Sequence, residues 1–367
     1  SQFNSLPNLF VTGTGSRILP VTDFTICKRL VIDGPVLDNS INNRRITLLG
    51  TIERYNTGIF NSGTGTYPSA TVVFAGTTIQ AAGGPTGDFS GTSKFNNLEI
   101  NNPAGLNIGA GGLVEVNNQL ILNNGIIGAS SSNRLVLLSS SPASVFPAGG
   151  TAASFINGPL TKNLVNGDSF LYPIGEGTIK SHDFTLTPTS GATLLWTVDY
   201  TRPNPTATSV TSPLVVCNTL EYWSVSSTTN ATANIKIAWD PLSDLTPLMT
   251  SNGISDIRVA EFNSGSWTEL ESVTSGTSYY GNVSTVSGVT VSTTPRNYTT
   301  ASVTGTLARA SFSPGAAVCG NSGIPVTFVS FDPINLNYTL SYTIDNVPQA
   351  DIIVSSLPYT MPTPVAG

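Results

Sequence analysis

The chain has 367 residues, only 10 % of them charged, a formal net charge of −6 and a single histidine. Soluble domains typically carry roughly 25 % charged residues; here Gly, Ser, Thr, Asn and Val take their place. The densest basic clusters are Lys28-Arg29 and Arg44-Arg45, too little for the concentrated basic face that nucleic acid or an anionic membrane surface requires, and no run of 18 apolar residues could span a bilayer.

This composition suits strands and tight turns. β-Branched residues fit a pleated surface, and Gly and Asn supply left-handed turn positions. No window of eleven or more residues has a clear 3.6-residue apolar period, so the chain reads as all-β. It opens on Ser-Gln-Phe without an export signal and stops inside a pattern, and so reads as a piece of a longer chain.

Residues 1–25 are weakly periodic and read as a cap or connector. Apolar pairs two residues apart then recur: Leu30/Ile32, Ile46/Leu48, Val72/Phe74 and Thr77/Ile79. The stretch from Tyr55 to Pro68 is rich in Gly, Thr and Asn and reads as a long turn. The pattern is cleanest from Phe95 to Leu138, in Leu98/Ile100, Leu106/Ile108, Val114/Val116, Leu120/Leu122 and Leu135/Leu137. Members of a pair face one side of a strand. Asn101-Asn102, Asn117-Asn118, Asn123-Asn124 and Gly109 to Gly112 lie between them and suit sharp corners. Short strands with such corners predict a parallel, β-helix-like solenoid, whose stacked rungs jointly bury the inward row, and corner asparagines are placed to stack from rung to rung. An antiparallel sandwich of short hairpins is the alternative.

Near Phe155 the strands lengthen, to Asp183–Thr187, Leu194–Tyr200, Ile235–Trp239 and Ile257–Phe262, and all four tryptophans follow. A thicker aromatic core predicts two packed sheets. From about residue 303 the pattern restarts with Val326/Phe328, Tyr338 to Ile344 and Ile352/Val354, too few strands for a complete immunoglobulin-like sandwich. The expected organisation is a β-solenoid over 1–154, a β-sandwich over 155–302 and an incomplete immunoglobulin-like module over 303–367.

The ordered motifs add a resemblance. Val72-Val73-Phe74-Ala75-Gly76, Gln80 and Phe95-Asn96-Asn97-Leu98-Glu99-Ile100-Asn101-Asn102, then Leu120 to Gly125, Asn157 to Lys162, Phe170 to Gly175, Glu221-Tyr222-Trp223, Ile257 to Ala260 with Trp267, and Ala317 to Gly323 resemble, in that order, modules of large Bacteroidetes cell-surface proteins. The resemblance covers most of residues 70–355. It implies export of the type IX secretion kind, an extracellular place on the cell surface held through regions outside this chain, and an adhesin role that includes gliding motility. It brings no catalytic residue with it.

Local chemistry is sparse. His182 would have to serve any serine–histidine–acid site, and its neighbour Asp183 points to the opposite face of a strand, so a strand-end histidine is the simpler reading. Glu99 and Glu115 sit at outward positions of neighbouring rungs, where two acids could line a glycan groove; a solvated face with scattered acids is the simpler reading. Asp240 and Asp244 lack the EF-hand pattern, which leaves a structural calcium open without assigned ligands. Tyr279-Tyr280 and Trp267 suit either sugar stacking or the core. Cys27, Cys217 and Cys319 have no metal-ligand spacing and read as free thiols, with one disulfide at most. Sequons occur at Asn230, Asn282, Asn297 and Asn337. No catalytic, cofactor-binding or metal-binding residue is assigned, and the chain reads as non-catalytic. The leading expectation is a stalk or adhesin segment whose partners are neighbouring modules of the same chain, other copies of it, or surface glycans. The alternatives are a glycan-binding or carbohydrate-active β-helix protein, and a filament subunit polymerising by strand donation.

Overall fold

The computed structural model describes residues 5–303, apart from 85–86, 192, 205–207, 244 and 246–252, and beyond them the backbone of a few short strands. The described chain is almost entirely β, with short 3-10 turns and no α-helix, and it contains a β-solenoid of about eight turns.

The solenoid's main face begins with Ser5–Thr12, which pairs in parallel with Phe24–Asp33. The weakly periodic N-terminal stretch is therefore itself a rung. Parallel pairing continues through Ile46–Leu48, Thr71–Phe74, Phe95–Asn101, Leu113–Asn124, Arg134–Leu137 and Leu160–Leu164. A second face stacks Gln80–Ala82, Leu106–Ile108, Ile127–Gly128, Ile156–Asn157 and Ile174–Glu176. A short third face stacks Ser16–Ile18, Val36–Asp38 and Ile59–Asn61.

The inward rows are the apolar pairs of the sequence. Phe24, Ile46, Val72, Leu98, Leu120 and Val145 fall in register, beside Ile26, Leu48, Phe74, Ile100 and Leu122. All are buried in one hydrophobic cluster. Each such side chain contributes about 1.5–3 kcal/mol on burial, but only with a rung on either side to cover it. Midway along the solenoid the interior is filled by aromatic rings: Phe89 stacks on Phe95 at 4.8 Å, and Phe60 and Phe74 meet Phe95 edge-on at 6.0 and 6.2 Å. The thick aromatic core is thus not confined to residues after Phe155.

Corners are tied by asparagine. Asn118 Nδ2 donates to Asn97 Oδ1 at 2.8 Å, and Asn117 Nδ2 to Asn96 Oδ1 at 3.4 Å, so the amides stack from rung to rung. The Gly109 to Gly112 corner lies against the preceding one: a Cβ at Gly109 would stand 2.2 Å from the Gly83 carbonyl oxygen, and one at Gly112 2.4 Å from the Gly84 nitrogen.

Two local expectations shift. The long turn from Tyr55 to Pro68 contains the strand Ile59–Asn61, because Phe60 fills the solenoid interior. The pair Thr77/Ile79 is not an inward pair: Ile79 is exposed and the strand is Gln80–Ala82. Gln80 takes the inward place because its amide serves the corner backbone, accepting from Gly76 N and donating to the Leu48 and Gly50 carbonyls.

Parallel pairing does not stop at Phe155. Leu160–Leu164 pairs in parallel with Arg134–Leu137 on one edge and antiparallel with Leu194–Thr201 on the other. The same sheet continues through Tyr222–Ser227, Arg296–Ser302, Ile257–Asn263 and Ser266–Leu270, giving sixteen strands in all. A separate antiparallel sheet orders Phe170–Tyr172, Phe184–Pro188, Ala231–Trp239, Gly281–Thr285 and Ser272–Gly276. Burial alternates along these strands, and their inward residues, Trp196, Trp223 and Ile237 among them, belong to the same cluster as the solenoid interior. Beyond residue 303, Ala310–Pro314 pairs with Val326–Ser330, Tyr338–Leu340 with Ile352–Val354 and Thr343–Ile344 with Val347–Pro348, all antiparallel.

Candidate functional site

Where the solenoid meets the antiparallel strands, three chain segments converge on the only histidine. Ile174–Glu176 closes the second solenoid face by pairing antiparallel with Ile179–Lys180. The chain then turns, pinned by Ser181 N donating to the Ile174 carbonyl and Ala238 N donating to the Asp183 carbonyl at 2.9 Å. His182 rides on this turn. Glu221 stands just before Tyr222–Ser227, and Asp240 just after Ala231–Trp239.

His182 Nδ1 lies 2.8 Å from the Glu221 carboxylate, and Nε2 lies 2.9 Å from Asp240 Oδ1. Glu221 is buried and also accepts from the Tyr200 hydroxyl at 2.7 Å, with Arg202 Nη1 at 3.8 Å. Burial is the largest single influence on the imidazole and opposes its charge. Hydrogen bonds and charge from Glu221 and then Asp240 outweigh it together, so the His182 pKa is raised above 6.5. The ring is a hydrogen-bonded brace between two acids that favour its protonated form. With both nitrogens engaged by carboxylates, neither is free to activate a hydroxyl, the step a serine–histidine–acid site requires.

The acids are not the one adjacent in sequence. Asp183 turns away and pairs with Lys180 at 2.9 Å; Glu221 and Asp240 lie 39 and 58 residues from His182. No spacing rule finds such partners. Their one sequence signal is that each sits at the end of an alternating apolar run.

A cavity of about 660 Å³ opens in front of the brace, bordered by His182, Asp183, Arg202, Trp239, Asp240 and Tyr280. Trp239 is buried and its indole N–H donates to the Thr277 carbonyl at 3.0 Å. Tyr280 is 65 % exposed, on the turn between Ser272–Gly276 and Gly281–Thr285. Three residues noticed separately in the sequence, His182, Asp240 and Tyr280, therefore border one space.

Other candidates are not brought together. Glu99 is aligned with Ile121 and Glu115 with Val136, so the two acids do not share a row. Glu99 is buried, paired with Arg45 at 2.7 Å and accepting from Asn123 Nδ2 at 2.9 Å, while Glu115 accepts from Gly91 N at 2.7 Å. The segment 65–69 covers this outer face, since Asn96 and Asn97 both donate to the Gly65 carbonyl. Trp267 is fully buried against Phe262 at 5.2 Å and offers no stacking surface.

For calcium, Asp244 lies outside the described residues, and Asp240 Oδ1 is already engaged by His182 and by Leu242 N at 2.7 Å. Among the described residues no group of three His, Cys, Asp or Glu side chains is arranged to hold a metal ion; around His182 the two carboxylates meet different ring nitrogens. Cys27 and Cys217 are free thiols, and burial pushes the Cys217 pKa up to about 11. Cys319 and the Asn337 sequon lie outside the described residues. Asn230 is exposed, whereas Asn297 accepts from the Ser224 hydroxyl. No helix of the described residues is long and apolar enough to cross a membrane.

No protein-family model, no curated protein and no solved structure matches this chain.

Proposed function

We propose that this chain is a structural and adhesive segment of a large extracellular surface protein, working as a stiff, non-catalytic stalk. One observation carries the reading. A single hydrogen-bonded sheet runs from the first rung at Ser5–Thr12 through the solenoid and on into the antiparallel strands, and its direction changes within one strand, Leu160–Leu164. A ladder without a break offers no hinge, and the hydrophobic interior is continuous across the change. The Bacteroidetes-like motif order supports a surface location and the adhesin role. Antibodies against this chain, applied to intact cells of the source organism, test it: labelling of unbroken cells and loss of surface attachment on in-frame deletion are expected. Labelling of lysed cells only, or release of sugar from a polysaccharide panel by the purified chain, overturns it.

The strand-donation reading has one observation of its own. Among the described residues Ser5–Thr12 is the outermost strand of the sheet, and an apolar cavity of about 490 Å³ opens beside it between Leu6, Leu9, Ile18 and Leu37. An edge strand over an open core is a template for an added strand. Electron microscopy of the purified protein tests this reading; monodisperse particles at high concentration count against it.

A further inference from the structure

We propose that the cavity in front of the His182 brace is a binding site for a neutral carbohydrate, a pyranose unit of a surface or matrix glycan. The inference does not rest on the stalk reading.

Three features of the cavity fit that chemistry. The first is its aromatic border. Tyr280 stands 65 % exposed, although burying an aromatic side chain is among the larger gains open to a folding chain. It is held there by its turn: Thr277 Oγ1 accepts from the Tyr280 backbone N–H at 3.2 Å, and Thr277 N donates to the Tyr280 carbonyl at 2.8 Å. A tyrosine ring presents an apolar face that matches the C–H face of a pyranose, and a hydroxyl for its edge.

The second is a set of planar polar groups that are fixed yet not used up. Among the described residues, the bonds to the Asp240 carboxylate fall on Oδ1, from His182 and Leu242 N. Oδ2 of this side chain, which is 36 % exposed, is the acceptor left for a ligand hydroxyl. Arg202 is held by a 3.4 Å contact from Nη2 to the Leu242 carbonyl and by Glu221 at 3.8 Å, and its guanidinium has further N–H donors to offer. Such pre-held groups suit vicinal hydroxyls, each of which both donates and accepts. They spend little ordering entropy on binding, because Asp240 is already held by His182 and Arg202 by Leu242 and Glu221.

The third is charge. Among the described residues around the cavity both signs are present: Lys180 and Arg202 stand near Asp183 and Asp240, and His182 bridges Asp240 and the buried Glu221. Among the described residues this mixed lining favours neither an anionic nor a cationic ligand, and the volume of about 660 Å³ suits one or two sugar rings.

The test uses the full chain and saturation-transfer NMR with a fixed panel: cellohexaose, maltohexaose, xylohexaose, mannohexaose and hexagalacturonate. Saturation transfer to at least one neutral hexaose is expected, with at least a tenfold loss of affinity in Tyr280→Ala and in Asp240→Asn, and none in Tyr279→Ala, whose equally exposed ring does not border the cavity. Unchanged thermal unfolding shows that the Tyr280 variant is folded. No transfer to any neutral sugar, preference for hexagalacturonate, or full binding by Tyr280→Ala overturns the proposal. Surface labelling of cells is independent of all these outcomes, so this proposal and the stalk reading fail separately.

Discussion

Arg45 Nη2 lies 2.7 Å from the Glu99 carboxylate, joining strands two rungs apart on the outer face of the solenoid. Glu99 is almost completely buried and Arg45 is about a quarter exposed. Removing the arginine leaves a carboxylate in a site that water barely reaches. Arg45→Met is therefore expected to lose about 2–4 kcal/mol in urea unfolding, and adding Glu99→Gln should recover much of it, because the buried charge is then gone. Equal stabilities for the single variant and the parent would show that Glu99 is solvated after all.

His182 supplies a pH dependence. Its folded pKa is raised above 6.5, so the fold binds this proton more tightly than the unfolded chain does. The stabilisation is fully present below about 6.5 and is lost as pH rises through the folded value. His182→Gln should be less stable than the parent by on the order of 1–2 kcal/mol at pH 6, and by less at pH 9. As the chain has one histidine, its imidazole NMR signal can be followed without assignment. A midpoint at or below 6.5 would contradict the brace.

Lys162 has the opposite sign. It is an inward residue, in register with Leu137 on one side and Trp196 on the other, and it hydrogen-bonds the Ser139 and Asn163 carbonyls without an acid in contact. Burial lowers its pKa to about 8, against a weaker opposing influence from Asp168. The unfolded chain therefore holds this proton more tightly, and the parent gains stability as pH rises from about 8 towards 10.5. Lys162→Met lacks that gain. The stability of the variant relative to the parent should fall between pH 7 and pH 10, measured by denaturant unfolding at each pH.

Corner geometry can be tested at glycine. Gly125 has φ +103°, and a Cβ there would stand 1.8 Å from the Asn102 carbonyl oxygen, in the rung before. Gly111 also has positive φ, +73°, but open space around it. Gly111→Ala should cost about 1 kcal/mol in backbone strain alone, and Gly125→Ala more than about 3 kcal/mol. Similar thermal shifts for the two would mean that the rungs separate more easily than their packing implies.

The solenoid was legible because its signal is local and repeated. Leu98/Ile100 and Leu120/Leu122 announce inward rows by spacing alone, and the asparagines and glycines between them announce corners. Glu99 was legible as an outward residue and misread as a solvated one, because the arginine and the covering segment 65–69 come from earlier rungs. Trp267 offered no sign of which side it faced. Asp183 was set aside as a partner of His182 on sequence grounds and pairs with Lys180, but nothing in the sequence pointed to Glu221 and Asp240.

The sequence by itself determined that the described chain is almost entirely β, and it marked the rungs and inward side chains from Phe95 to Leu137, since a two-residue period and a turn preference are properties of consecutive residues; the rungs at Ser5–Thr12 and Ile59–Asn61 carried no such clear period. Tertiary structure alone decided what depends on register between distant strands. It joined the solenoid sheet to the antiparallel strands through Leu160–Leu164, seated His182 between Glu221 and Asp240, and set Tyr280 at the border of the same cavity. Those meetings join residues tens of positions apart, and their partners are chosen by how strands stack rather than by what precedes or follows them in the chain.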